Sequence, residues 1–123
     1  MNGTVLYIDD DQDNILIVGR LLRQTLPDVH LHTASTGDDG IAAATRTQPD
    51  LILLDNRLPG TSGEQVLHRL AASPATAAIP VVILSGDTGR ATVRELLAAG
   101  AADFLAKPFD IHQLLAIIRR YLR

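Results

Sequence analysis

No cysteine or tryptophan occurs in the 123 residues, and phenylalanine and tyrosine number two each. Without thiols the chain can build neither a disulfide framework nor thiolate chemistry, and with so few aromatics its core must be aliphatic. Nowhere does an apolar run approach the roughly 18–20 residues needed to span a bilayer. Met1-Asn2-Gly3-Thr4 offers no basic stretch ahead of an apolar one, so no secretory signal is evident and the cytoplasm is the default location. A basic stripe is missing as well. Eleven Lys and Arg stand against 14 Asp and Glu, a formal charge of −3, which argues against a free-standing nucleic-acid binder. The glycines form neither G-x-G-x-x-G nor a P-loop. His30, His32, His68 and His112 show no metal-ligand spacing and are read as structural or surface residues.

What remains is an ordinary globular composition, 46% apolar and 20% charged, at a length suited to a single domain over 1–123. Short apolar runs alternate with helix-period segments. Residues 5–8 form the first run and stop at Asp9, Asp10 and Asp11; residues 14–26 are helical and closed by Pro27; residues 29–33 read as a second strand. An Ala-rich helix over 37–47 precedes Pro49, and a continuous apolar strand over 51–54 ends in Asp55. Leu58-Pro59-Gly60-Thr61-Ser62-Gly63 reads as a loop, and a helix over 64–72 sets Val66, Leu67 and Leu70 on one face. Residues 81–84 are a fourth strand, followed by a helix carrying Val93, Leu96 and Leu97. A weaker fifth strand spans 101–106, and Asp110 caps a last helix whose Ile111, Leu114, Leu115 and Ile118 form an inward stripe. Arg119, Arg120 and Arg123 are cations favouring that helix's C-terminus. Five strands alternating with five helices predict an α/β fold, a parallel sheet covered on both faces. Ligands of such sheets bind beyond the carboxyl ends of the strands.

Those ends carry the chemistry. Strand 1 ends in Asp9 and Asp10, strand 3 in Asp55 and strand 4 in Ser85, while strand 5 runs into Lys107. Alone, Asp9 and Asp10 would serve as caps for the first helix, as first-turn Asp11 and Asp13 are read here. If strands 1 and 3 are neighbours, however, three carboxylates converge, and their mutual repulsion calls for a cation. Hard carboxylate oxygens without His or Cys suit Mg²⁺ (or Mn²⁺). A carboxylate can also act as a nucleophile and form an aspartyl phosphate. The transferring group then needs positive charge and donors around its oxygens, which the cation, Lys107 and Ser85 would supply.

Five segments resemble a response-regulator receiver domain: Val5-Leu6-Tyr7-Ile8-Asp9-Asp10-Asp11, Pro49-Asp50-Leu51-Ile52-Leu53-Leu54-Asp55, Leu58-Pro59-Gly60, Val82-Ile83-Leu84-Ser85-Gly86 and Lys107-Pro108-Phe109. The resemblance covers essentially the whole chain. It implies a flavodoxin-like sheet of five β-α units in the order 2-1-3-4-5. It also implies Mg²⁺-dependent phosphotransfer in a two-component or phosphorelay system, from a phosphohistidine on a sensor histidine kinase or a histidine phosphotransfer protein. Carried over, Asp55 is the phosphoacceptor; Asp9, Asp10, Asp55 and the main-chain carbonyl of Arg57 are metal ligands. Ser85 matches the switch hydroxyl, Lys107 the phosphate-binding lysine and Phe104 the switch aromatic, and the Lys107–Pro108 peptide is cis. Phosphorylation would reshape the surface of the fourth helix, fifth strand and fifth helix, which partners then read. The state implied is a monomer or a phosphorylation-dependent dimer, with no membrane or direct nucleic-acid contact. Departures exist: serine replaces the commoner threonine at 85, and Phe104 lacks a hydroxyl. Arg57 and Asp87 stand at the mouth of the site, where they are expected to pair and to screen the phosphorylated Asp55 from water.

The chief rival is a small phosphatase resembling the haloacid dehalogenase class, with Asp9 as nucleophile and Asp11 as general acid in its D-x-D spacing. Against it, the chain lacks room for a cap or a later acidic pair, and residues 55–59 go unexplained. A degenerate receiver serving only for docking is countered by the intact acid set. An FMN-binding flavodoxin would need hydroxyls and amides, in place of carboxylates, in the loop after strand 1.

Overall fold

The computed structural model describes residues 2–122; Met1 and Arg123, including the cation expected at the last helix end, lie outside the described residues. Along the chain run β1 (Gly3–Ile8), α1 (Gln12–Thr25), β2 (Val29–Ala34), α2 (Gly37–Thr47), β3 (Leu51–Asp55), α3 (Gly63–Ala72), β4 (Val81–Ser85), α4 (Arg90–Ala98), β5 (Asp103–Ala106) and α5 (Ile111–Tyr121). The five strands form one sheet in the order β2-β1-β3-β4-β5, every adjacent pair parallel. This is the flavodoxin-like arrangement, whose order reverses between β1 and β3.

The unbroken apolar runs conceal a period of two. Val5 and Tyr7, Leu51 and Leu53, and Val82 and Leu84 face a core completed by Val18 and Leu22 of α1 and Leu114 and Ile118 of α5. Leu6 and Ile8, Ile52 and Leu54, and Val81 and Ile83 face a second core against α2, α3 and α4, through Ala44, Val66, Leu70 and Leu96. Strands buried on both faces can be apolar throughout because each face has its own helices.

Side chains in the loops set the helix boundaries. The Asp11 carboxylate caps α1 by accepting from the amides of Asp13 and Asn14, so the helix begins two residues earlier than its apolar period suggests. Thr36 caps α2, and Ser62 with Gln65 forms a capping box on α3. Asp110 caps α5 through the His112 amide at 2.7 Å, as expected. Ile111 differs from expectation. It lies in the first turn of α5, at the end where the strands stop, and is 46% exposed; Ile117 takes its place in the inward stripe. The segment expected to be a loop after Asp55 contains a small antiparallel hairpin pairing Arg57–Leu58 with Thr61–Ser62, turned at Gly60 with φ 74°. Gly40 lets α2 lie against β1, for a Cβ there would come within 2.5 Å of Ile8 Cδ1. Among the described residues no helix is long and apolar enough to cross a membrane.

Candidate functional site

The register of the sheet decides what meets at its carboxyl edge. Ile8 pairs with Leu54, so the next residues of those strands, Asp9 and Asp55, emerge side by side. Asp55 pairs with Leu84, and Ser85 with Ala106, which brings the Ser85 hydroxyl and the residue after β5, Lys107, to the same edge. Asp9, Asp10 and Asp55 each offer a carboxylate oxygen, and these three oxygens lie within 4.8 Å of one another. Asp9 and Asp55 are buried while Asp10 is exposed. Beside them a cleft of about 450 Å³ is lined by Asp55, Asn56, Arg57, Ser85, Asp87 and Lys107, together with Gly86. A broader depression between α2 and α3, of about 620 Å³, shows no comparable convergence, because its Asp38 and Arg69 pair with each other at 2.6 Å.

Lys107 is the one lysine among the chain's 11 basic residues. Its ammonium stands 3.2 Å from Asp55 Oδ1 and 3.5 Å from Asp9 Oδ2, and the Lys107–Pro108 peptide that follows is cis. Asp55 Oδ1 also accepts from the Arg57 amide at 3.3 Å. Burial pushes the Asp55 carboxyl above the ordinary carboxylate range, and the charge of Asp9 adds to this against the pull of Lys107 and the Arg57 amide. Asp9 goes the other way. Burial works against its charge but is outweighed by the Tyr7 hydroxyl, the Asp11 amide and Lys107, which hold it below the ordinary range. Tyr7, buried and facing negative charge, has its phenol raised far above its usual value and stays a donor. One ammonium against three carboxylates leaves excess negative charge. An all-oxygen donor set without His or Cys fits a hard divalent cation such as Mg²⁺ or Mn²⁺.

The remaining expected residues are placed as follows. The Ser85 hydroxyl is already engaged: it accepts from the Asp87 amide at 3.0 Å and from Asn56 Nδ2 at 3.4 Å, and it donates to the Asp87 carbonyl at 3.4 Å. Phe104, in β5, is half-buried against the α2–α4 core. Arg57 sits on the hairpin with an exposed side chain, and the expected pair with Asp87 is not formed among the described residues. The Asp87 carboxylate instead accepts from the Gly89 amide at 3.0 Å and from Thr92 Oγ1 at 2.8 Å, bonds that lower its pKa with only a small contribution from Arg57. An amide two residues along the same loop out-competes a flexible guanidinium in water. Asp11, the general acid of the rival reading, lies outside the carboxylate cluster with its side chain on the helix amides. His30, His32, His68 and His112 are all exposed.

Three site residues escaped the sequence reading: Asn56, and Tyr7 and Asn14, which both donate to Asp9 Oδ2. A signal existed for one of them. Tyr7 lies two residues before Asp9 on a strand, hence on the same face, and a phenol amid aliphatic neighbours needs a polar partner.

Comparison with known proteins agrees with this geometry. The family model described as "Response regulator receiver domain" matches residues 5–119. The response regulator PleD of Caulobacter vibrioides is 37% identical over 123 residues, which is all of this chain but 27% of PleD, so the chain spans about a quarter of that relative. Among solved structures, the chemotaxis response regulator CheY4 of Vibrio cholerae superposes with a TM-score of 0.89 at 25% identity, covering 99% of this chain and 100% of that one. The receiver domain of the sensor histidine kinase PA1611 from Pseudomonas aeruginosa, which has magnesium coordinated in its active-site cleft, gives 0.86 at 26% identity and 98% coverage of both chains. With sheet order, strand-end acids and a match over residues 5–119 in agreement, the chain belongs to the response-regulator receiver domains of two-component signalling.

Proposed function

We propose that Asp55 accepts a phosphoryl group from the phosphohistidine of a sensor histidine kinase or histidine phosphotransfer protein, and that the aspartyl phosphate switches the surface formed by α4, β5 and α5. The observation that carries this is the position of Asp55: at the end of the central strand, beside two further carboxylates, with Lys107 at 3.2 Å. In the transfer the P–N bond to imidazole breaks, the imidazole leaves with the bonding pair, and an Asp55 carboxylate oxygen forms the new P–O bond. Asp9, Asp10, Asp55 and the main-chain carbonyl of Arg57 would hold Mg²⁺ (or Mn²⁺), which supplies positive charge against the phosphoryl oxygens. Lys107 would swing from carboxylate to phosphate as charge moves outward from Asp55, a role its 3.2 Å contact with Asp55 supports.

Ser85 would then turn its O–H from the Asp87 carbonyl to a phosphoryl oxygen, exchanging a neutral acceptor for a charged one. Phe104, half-buried, would turn inward as the loop moves. The reading places the domain in the cytoplasm, as a monomer or phosphorylation-dependent dimer whose phosphoryl transfers concern only its own Asp55. The test is intact mass after incubation with Mg²⁺ and a small phosphodonor. Wild type should gain one base-labile phosphoryl group and Asp55→Asn none. Multiple turnover of a phosphate ester that survives Asp55→Asn but not Asp9→Asn would overturn the reading in favour of a phosphatase.

A further inference from the structure

Tyr7 is a fully buried tyrosine in a core that is otherwise almost wholly aliphatic. It lies in β1 between two strands, paired with Thr33 of β2 and Leu53 of β3, so its backbone has no freedom to shift. Its ring packs in the α1–α5 core, and its hydroxyl donates to Asp9 Oδ2 at 2.6 Å, the shortest of that carboxylate's contacts. Asp9 Oδ1 accepts from the Asp11 amide at 3.0 Å, while Asn14 and Lys107 approach Oδ2 at 3.4 and 3.5 Å. Phenylalanine would fill the same space, so volume does not explain the hydroxyl. A buried phenol and a buried carboxylate satisfy each other here, and the direction of that bond fixes the carboxylate plane.

We propose that Tyr7 is a positioning residue of the cation cluster: its hydroxyl locks the Asp9 carboxylate in the orientation that, with Asp10 and Asp55, receives a divalent cation. The proposal rests on the cation role given to these carboxylates above. The other two carboxylates are set differently. Asp55 is held by Lys107 and the Arg57 amide, and Asp10 is exposed. Asp9 is fully buried, so a lost protein donor cannot be replaced by bulk water. Partners that orient a metal ligand in this way commonly change metal affinity by about 10–100-fold when removed.

The experiment is a titration of wild type, Tyr7→Phe, Ile118→Val and Asp10→Asn with Mg²⁺, and with Mn²⁺ followed by its paramagnetic resonance signal, all confirmed folded by circular dichroism. Ile118→Val trims the same core and leaves Tyr7 and the three carboxylates unchanged. Tyr7→Phe should bind the cation at least about tenfold more weakly, within the range set by removing such partners, and Ile118→Val should bind as wild type. Equal affinity in Tyr7→Phe and wild type overturns the proposal while leaving the cation role standing. A wild type that binds no divalent cation, or an Asp10→Asn that binds as well as wild type, overturns both.

A second readout leaves Tyr7 itself in place. Tryptophan is absent and the tyrosines are Tyr7 and Tyr121, so in Tyr121→Phe the near-ultraviolet tyrosine band reports Tyr7. Saturating Mg²⁺ should shift that band as the carboxylate shares its charge, and an unmoved band under conditions of proven binding counts against the proposal.

Discussion

Gly40→Ala is the most decisive substitution for the packing that holds the first strand end in place. In an exposed helix position, alanine in place of glycine stabilises by about 1 kcal/mol. At Gly40 a Cβ would lie 2.5 Å from Ile8 Cδ1, 2.9 Å from Cγ1 and 3.1 Å from Cγ2. Ile8 is fully buried and β-branched, so it cannot rotate away cheaply, and it immediately precedes Asp9. Overpacking of a well-filled core costs about 1–3 kcal/mol; three close contacts favour the upper end and leave a net loss of about 2 kcal/mol. At about 2.1 cal/mol/K of unfolding entropy per residue, each kcal/mol shifts Tm by about 4 °C for a chain of 123 residues. The expected fall is therefore about 8 °C by scanning calorimetry. Ile8→Val removes the nearest atom and should cost about 1 kcal/mol alone. The double variant should be no less stable than Gly40→Ala, a favourable coupling of about 1 kcal/mol or more. Gly19→Ala provides the contrast, because its Cβ would meet nothing nearer than 3.5 Å and should stabilise α1 by several tenths of a kcal/mol or more, up to about 1. If Gly40→Ala matched wild type, or if the two Ile8/Gly40 losses simply added, the close-contact argument would fail.

Other outcomes follow from the carboxylate edge and the caps. Saturating Mg²⁺, at about 100 times its dissociation constant, should stabilise the protein by about 2.7 kcal/mol; chelator should reverse this, and Asp10→Asn should abolish it in a thermal melt. Asp55→Asn should raise the metal-free melting temperature near neutral pH, because burial and Asp9 disfavour the Asp55 charge. The sign sets the pH window. With the folded pKa above the ordinary 3.8, wild type is relieved of this penalty below pH 3.8 and bears it fully once pH exceeds the folded value. The advantage of the variant should therefore shrink on acidification, and a pH-independent advantage would contradict the assignment. Asp110→Ala should cost about 1 kcal/mol through loss of the α5 cap, measured by denaturant titration.

Much of the molecule was legible because its signals are local. Each strand-helix alternation follows from apolar period, and Asp110 and the Val66, Leu67 and Leu70 face lie where period and capping chemistry placed them. The acids at residues 9, 10 and 55, Ser85 and Lys107 could be named because they follow directly on apolar runs, where strands must end. Ile111 was misread because periodicity says which side of a helix is apolar but not where the sheet beneath it stops. The pairing of Arg57 with Asp87 was expected from nearness at the mouth of the site. Nearness says nothing about which donor a carboxylate prefers, and Asp87 is satisfied by the Gly89 amide and Thr92 close by in the chain.

By itself, then, the sequence determined the order of strands and helices, the cap of the last helix, and which side chains stand at the strand ends, because these depend on periods and neighbours along the chain. Only the tertiary structure decided which of those ends meet. The β1–β3 register sets Asp9 beside Asp55, and the path of the chain after β5 brings Lys107 within 3.2 Å of Asp55. Tyr7 and Asp9 are neighbours along one strand, yet it is the packing of α1 and α5 over that face that buries them together and makes the phenol a donor to the carboxylate. Contacts between distant parts of the chain are set by sheet register and helix packing, which no local pattern encodes.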